Sequence, residues 1–372
     1  MIRVSRKLRL PPRGFWLFCM TMGLAWTGGW LFVQAGLPLP WMLGAMTVVT
    51  IATVLQLPVF APAKLRSPMT ATIGVMLGAG FHPGLLQSVP GWLPSIAGLL
   101  VFSVGSGLAC SVFLHRYAKL DRTTSFFAGM PGGLVEMVEV GRQHGGDERT
   151  IALIHSSRIL FIVFSLPFLV QLLENGSPLG ASTAIGVPIK ESNWTDFAIL
   201  LGVGYIGSVV GQRIKLPAPH LVGPMLLSGG LHLAGVITFM PPQELVQIAQ
   251  LVLGAVLGCR FVGMSAASIL HILMIGFLMT LVLLSSVILC AFGVMMITDL
   301  PFSSLALAYS PGGLAEMSIV AIAIQADAAF VVAHHLIRVL LVMLGAAPFF
   351  SLMCLILDRK GAARDGTPPN RN

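Results

Sequence analysis

Long apolar runs separated by short polar turns dominate the chain. Stretches of about 18 or more residues, each long enough to cross a hydrocarbon core of roughly 30 Å as a helix, recur from Gly14 to Ala35, Leu93 to Leu114, Ile151 to Leu172 and Leu273 to Met296. The runs are continuous, without the two-residue alternation of a membrane barrel strand, and lipid offers no partners to free backbone groups. The pattern therefore predicts an all-α polytopic membrane protein with no sizeable soluble domain.

Composition supports this. Of 372 residues, 56% are hydrophobic and 10% charged, well below the roughly 25% charged share of an ordinary soluble domain, and the mean hydropathy is +0.89. The net charge of +8 does not point to nucleic acid. Its cations sit at Arg3, Arg6, Lys7, Arg9 and Arg13, in short loops, and in a tail from Arg359 to Arg371, as the positive-inside rule distributes them. The five cysteines are scattered through apolar runs without CxxC spacing, which reads as core packing and not as a disulfide framework or metal site. The basic start with Phe15 to Phe32 has the look of a secretory leader, but the second half of the chain carries a matching first helix, so it is expected to stay.

The chain repeats itself. Pro131-Gly132-Gly133-Leu134-Val135-Glu136-Met137 returns as Pro311-Gly312-Gly313-Leu314-Ala315-Glu316-Met317. The same offset carries Asp147 onto Asp327, His155 onto His335, Arg158 onto Arg338, and Gly74, Gly78 and Phe81 onto Gly254, Gly258 and Phe261. Upstream, Leu37-Pro38-Leu39-Pro40 matches Leu216-Pro217-Ala218-Pro219 with one residue lost. The reading is a first membrane repeat over 1–173, a polar linker over 174–196 containing Asn175-Gly176-Ser177-Pro178, a second repeat over 197–357, and a charged tail over 358–372. Helical segments are expected near 14–35, 39–56, 69–86, 93–114, 123–142 and 150–172, with counterparts near 197–212, 219–238, 244–262, 267–296, 302–323 and 328–355.

Loop charges bear on how the copies are arranged. With the N-terminus in the cytoplasm, Lys64, Arg66, Arg116, Lys119 and Arg122 fall inside under any scheme. Arg213 and Lys215, after the first helix of the second copy, fall inside only if each copy crosses five times. That arrangement makes the repeats inverted, each with about five transmembrane helices plus a broken or re-entrant Pro-Gly-Gly segment, and puts both termini in the cytoplasm. Proline removes a helix donor and clashes with the preceding turn, while paired glycines loosen the backbone, so the helix is expected to break there. Broken backbone at membrane depth is tolerated where it is buried in protein or lines a watery cavity.

Two such breaks would make a solute site from Pro131, Gly132, Gly133, Pro311, Gly312 and Gly313, with free backbone dipoles at mid-depth. Each break is followed by a carboxylate, Glu136 or Glu316, and each next helix presents a His-x-x-Arg pair on one face, His155 with Arg158 and His335 with Arg338. Ionisable groups inside a bilayer need partners or water. The bland alternative is that each glutamate neutralises the arginine of its own copy simply to hold helices together; a third is that the arginines snorkel to the interface. Asp147 and Asp327 are secondary candidates. The first break carries Glu139, Arg142, His144 and Glu148 where the second has Ile319, Ile322, Ile324 and Ala328. The first is thus expected to be the more hydrated, and Glu136 the better proton carrier. His82, His115, His220, His232 and His271 share no ligand spacing, and His334 and His335 point to different sides of a helix, so no metal site is expected.

The twin Pro-Gly-Gly-Leu-x-Glu-Met motifs, with the Leu-Pro-x-Pro and Gly-x-x-Leu-Gly-x-x-Phe matches, resemble the AbrB family of bacterial membrane proteins over nearly the whole chain. The resemblance implies a multi-pass protein of the bacterial inner membrane, in a group labelled ammonia monooxygenases or regulators of gene expression. The inverted-repeat look is similar to that of cation/proton antiporters and anion transporters. A soluble DNA-binding regulator that shares the family's name is not resembled. An oxygenase needs a redox metal or flavin, and neither a ligand triad nor a dinucleotide loop is found. Direct action on DNA needs a soluble reading element, which is missing too, and there is no Walker-type ATP loop. The expectation is a secondary transporter for a small solute, an organic anion or a metabolite coupled to H+ or Na+, with no enzyme activity, no cofactor and no direct nucleic-acid contact. Its partners would be the lipid bilayer, the solute and a second copy of the chain. The alternatives are a membrane sensor or regulator acting indirectly and, behind it, a membrane monooxygenase.

Overall fold

A computed structural model describes residues 12–81, 87–174 and 186–365. The basic run from Arg3 to Arg9, His82, the linker motif Asn175–Pro178 and Arg371 lie outside the described residues. Regular structure among the described residues is helical, with one isolated β-bridge between Val187 and Pro242. The helices are α1 (Pro12–Gln34), α2 (Pro40–Val54), α3 (Arg66–Ala79), α4 (Leu93–Arg116), α5 (Arg122–Gly129), α6 (Leu134–Gln143), α7 (Glu148–Glu174), α8 (Trp194–Arg213), α9 (Pro219–Leu233), α10 (Gln243–Gly258), α11 (Ala266–Met295), α12 (Phe302–Tyr309), α13 (Leu314–Ala323) and α14 (Ala328–Asp365). Seven of the described helical stretches are long and apolar enough to cross a membrane: Gly14–Gln34, Val89–Arg116, Glu148–Leu173, Trp194–Arg213, Gln243–Phe261, Ala266–Met295 and Ala328–Cys354. The all-α, multi-pass expectation holds. Three edges differ from it. Helix α3 stops at Ala79, short of the expected 86, α9 stops at Leu233, with Gly235 at φ +67° just beyond, and α14 runs on through the charged stretch to Asp365.

Corresponding elements of the two sequence copies begin alike. The residue before α2, Leu39, and the residue before α9, Ala218, both adopt the left-handed conformation at φ 46°. Each precedes a proline at the first helical position, where the missing N–H costs nothing and the fixed φ suits a helix. Side chains before proline avoid the right-handed helical region, so the Leu-Pro-x-Pro signature sets a sharp entry in both places.

The chain forms two compact units that cut across the two sequence copies. The first holds α1 to α3, the end of α7, α8 to α10 and α13. Within it the Gly-x-x-x-Gly faces carry close packing. A Cβ on Gly74 would strike the carbonyl of Leu221, and one on Gly78 would strike Met225, Ser228 and Gly229, so α3 runs alongside α9 in the same direction. In the same way Gly254 lies on Met42 and Gly258 on Val49, aligning α10 with α2. Thr53 donates to the Gly258 carbonyl at 3.1 Å and Ser228 to that of Val75 at 2.8 Å, each closing one of these matched pairs.

The second unit holds α4 to α6, most of α7, most of α11, α12 and most of α14. Helices α5 and α6, of 8 and 10 residues, are only about 12 and 15 Å long, too short to span separately. They do not continue one another. The backbone N–H of Asp147, in the turn after α6, donates to the Thr124 hydroxyl at 2.9 Å near the start of α5. Gly141 packs on Phe127, and the ring of His144 on the same phenylalanine. The segment therefore enters on α5, turns at Pro131-Gly132-Gly133, and returns on α6 to the level where it began. The expected break is present in the first copy, as a hairpin of two short helices.

Candidate functional site

The breaks fall at the Pro-Gly-Gly motifs. Helix α5 ends at Gly129 and α6 restarts at Leu134, while α12 ends at Tyr309 and α13 restarts at Leu314. A helix that stops leaves its last carbonyls unpaired, carrying the negative end of the dipole. In both copies the His-x-x-Arg pair of the following long helix answers this need. Arg158 Nη1 donates to the Met130 carbonyl at 2.9 Å and Nη2 to that of Gly132 at 3.3 Å. Arg338 Nη1 donates to the carbonyls of Tyr309 at 3.0 Å and Ser310 at 3.1 Å, with Ala308 at 3.4 Å. His155 Nε2 meets the Phe127 carbonyl at 2.9 Å, and His335 Nε2 that of Leu307 at 2.9 Å. A carbonyl only accepts, so both rings carry their proton on Nε2.

Arg158 and Arg338 are 1% and 4% exposed, which excludes snorkelling. Each keeps a buried Nε without a protein partner, and each histidine keeps a buried Nδ1 likewise.

Helix α4 brings the breaks together within the second unit. Its Gly107 rests on Met130 and Pro131, and Gly129 rests on Cys110 and Ser111. Toward the other end of α4, Gly98 faces the Tyr309 ring, Phe102 stacks on it at 5.7 Å, and the Tyr309 hydroxyl donates to the Ser95 carbonyl at 2.9 Å. The five residues from Phe102 to Gly107 span about 8 Å of helix, so the two breaks lie one to two turns apart along a single helix. Val342 of α14 also reaches Gly132 in the first break.

The carboxylates do something other than the bland alternative supposed. Glu136, half-buried, folds back over the start of α6, where a Cβ on Gly133 would collide with it; there it complements the helix dipole. Glu316 is fully buried and pairs with Arg66 at 2.8 Å, within the first unit. Arg260, also in that unit, acts on both charges. The arginines following the breaks thus have carbonyls as hydrogen-bond partners, and Glu316 has Arg66. Sequence reading took Arg66 for a loop cation and passed over Arg260, Tyr309 and Ser95. Asp147 caps α7: its carboxylate accepts from the Arg149 N–H at 3.0 Å and from the Thr150 hydroxyl, whose bond holds it below the usual carboxylate range. Asp327 stands at the matching position ahead of α14.

Described residues whose regular structure is helical, with several membrane-length helices and two interrupted ones among them, each bound by a buried arginine, define a multi-pass membrane protein. Comparison with known families narrows this. The model of the family described as transition state regulatory protein AbrB matches residues 41–353, and the chain belongs to that family. Relatives include YhjN of Bacillus subtilis (strain 168), an uncharacterized protein 27% identical over 348 residues, covering 88% of this chain and 90% of that one. The proposed regulator AbrB of Escherichia coli (strain K12) is 24% identical over 315 residues, covering 84% and 89%.

Proposed function

We propose that this AbrB-family chain is a secondary transporter of a small organic anion, driven by H+ or Na+, in a bacterial inner membrane with both termini in the cytoplasm. The observation that carries the reading is the meeting of two interrupted helices on α4, with Arg158 and Arg338 buried at their carbonyl ends. Discontinuous helices at mid-depth are the recurring solute sites of ion-coupled carriers, where helix starts attract an anion and carbonyl ends a cation. Here the carbonyl ends are already held by arginine, which leaves the start of α6 as the anion-attracting group. Pro131, Gly132, Gly133, Pro311, Gly312 and Gly313 shape the site, and Glu136 is the carboxylate accessible to a coupling proton. The protein performs no covalent chemistry in this reading.

The α5–α6 hairpin supports inversion, since a segment that returns to its own side would leave five crossings in the first repeat. So does the first unit: α3 shares its direction with α9 and α2 with α10. Arg66, the first residue of α3, and Arg260, just past the end of α10, both act on Glu316, so the matching helices α3 and α10 run in opposite senses.

A second reading is favoured by the family description and by the name of the Escherichia coli relative: a membrane sensor that regulates indirectly. Uptake separates the two. Proteoliposomes holding the purified chain are expected to accumulate at least one radiolabelled small carboxylate when a proton or sodium gradient is imposed. If no member of the panel accumulates above protein-free vesicles while the same protein is thermally stabilised by one of them, the sensor reading replaces transport.

A further inference from the structure

A buried histidine that the breaks do not use stands in the second unit. His334 on α14 is fully buried, beside but facing away from His335. Its Nδ1 lies 2.8 Å from the Phe330 carbonyl and its Nε2 2.8 Å from the Ser95 hydroxyl oxygen. The same hydroxyl oxygen lies 2.7 Å from the Trp92 carbonyl. These three short contacts can be counted in protons. The Phe330 carbonyl only accepts, so Nδ1 carries a proton. The Ser95 hydroxyl has one proton and two acceptors competing for it, the Trp92 carbonyl and a neutral Nε2.

One more proton resolves the competition. With both ring nitrogens protonated, Nε2–H donates to the Ser95 oxygen, the Ser95 O–H donates to Trp92, and Nδ1–H donates to Phe330, so that all three contacts become hydrogen bonds. Without it, the hydroxyl must swing from Trp92 to Nε2. The surroundings suit a cation: the Phe330 ring centroid is 3.9 Å from that of the imidazole, and the Trp92 ring 6.1 Å. Among the described residues the titratable or charged groups around it include His335 and Arg338 on α14, Tyr309 on α12 and, beyond Tyr309, Cys290 on α11; the segment ahead of α4 and α4 itself present Trp92 and Ser95, which do not titrate. Arg338 is turned onto the α12 carbonyls, and the Tyr309 hydroxyl is given to the Ser95 carbonyl.

We infer that His334 is a proton-binding site, distinct from Glu136, whose occupancy reverses the Ser95 hydroxyl, on the residue whose backbone carbonyl accepts from Tyr309 at the end of α12. The first copy has Ile154 at the matching position and the second has Ile275 opposite Ser95, so the device occurs once. Its role as a coupling site rests on the transport reading; its existence does not. The test is nitrogen NMR of histidine-labelled protein in lipid nanodiscs, with the signal assigned by His334→Gln. Between about pH 8 and pH 5, the His334 ring is expected to pass from one protonated nitrogen to two, without loss of the helical fold. In Ser95→Ala the Nε2–H loses its acceptor, and proton affinity is expected to fall about tenfold, one pH unit in the midpoint, whereas Tyr309→Phe leaves the ring's own bonds in place and shifts it less. A ring that stays singly protonated across that range, or a midpoint indifferent to Ser95→Ala, overturns the inference. If the ring titrates as expected but gradient-driven uptake is absent for every solute tried, the transport reading fails and the proton site stands.

Discussion

Glu316 shows how burial ranks the charged residues. It is 0% exposed and its Arg66 partner 34% exposed, so removing the arginine strands a carboxylate that water does not reach. Breaking a fully buried pair costs roughly 3–5 kcal/mol; the partial exposure of Arg66 and the nearby Arg260 lower the expectation for Arg66→Met to about 2 kcal/mol. Adding Glu316→Gln removes the stranded charge and is expected to recover much of that loss, read as melting temperature in detergent. Pairing Glu316→Gln with Arg338→Met should bring no such recovery, because Arg338 bonds to carbonyls. A double variant no more stable than Arg66→Met would refute the assigned pair. Sequence reading marked Glu316 and Arg338 by their recurrence, yet the partnership escaped it. Residue 66 is 250 positions away, and nothing local distinguishes a cation at a helix start from one in a loop.

At the scale of elements, the interruption is the decisive feature and was the most legible one. Proline followed by two glycines cannot carry a helix onward, and α5/α6 and α12/α13 part at those residues. The purpose of His-x-x-Arg was legible only in part: its spacing put both side chains on one face, but the carbonyls they meet exist only because the helix stops. Arg338→Met is therefore expected to leave the ends of α12 unpaired, at about 1–3 kcal/mol for each carbonyl that finds no water, and to lower the melting temperature. Arg338→Lys, a point charge without the planar fork, should fall between. Equal stability of all three proteins would mean that the guanidinium does not hold the break. Boundaries ran less true where charge misled. The basic stretch after Leu357 reads as a tail, while α14 continues through it to Asp365, since Lys, Arg and Ala are good helix formers.

Across the whole molecule, the sequence copies and the compact units differ. Each unit draws helices from both copies, an exchange no periodicity reveals, since it depends on which faces meet and not on which segments recur. Membrane arrangement is the claim on which the transport reading depends: inverted copies bring matching mid-depth breaks to one site, and parallel copies do not. Single cysteines at Ser192 and Lys119, in an otherwise cysteine-free chain, measure it directly through a membrane-impermeant thiol reagent on intact cells and on inside-out vesicles. The account predicts that the cysteine at 192 reacts only from the outside and the cysteine at 119 only from the cytoplasm. Reaction of both from the cytoplasmic side would make the copies parallel and contradict it.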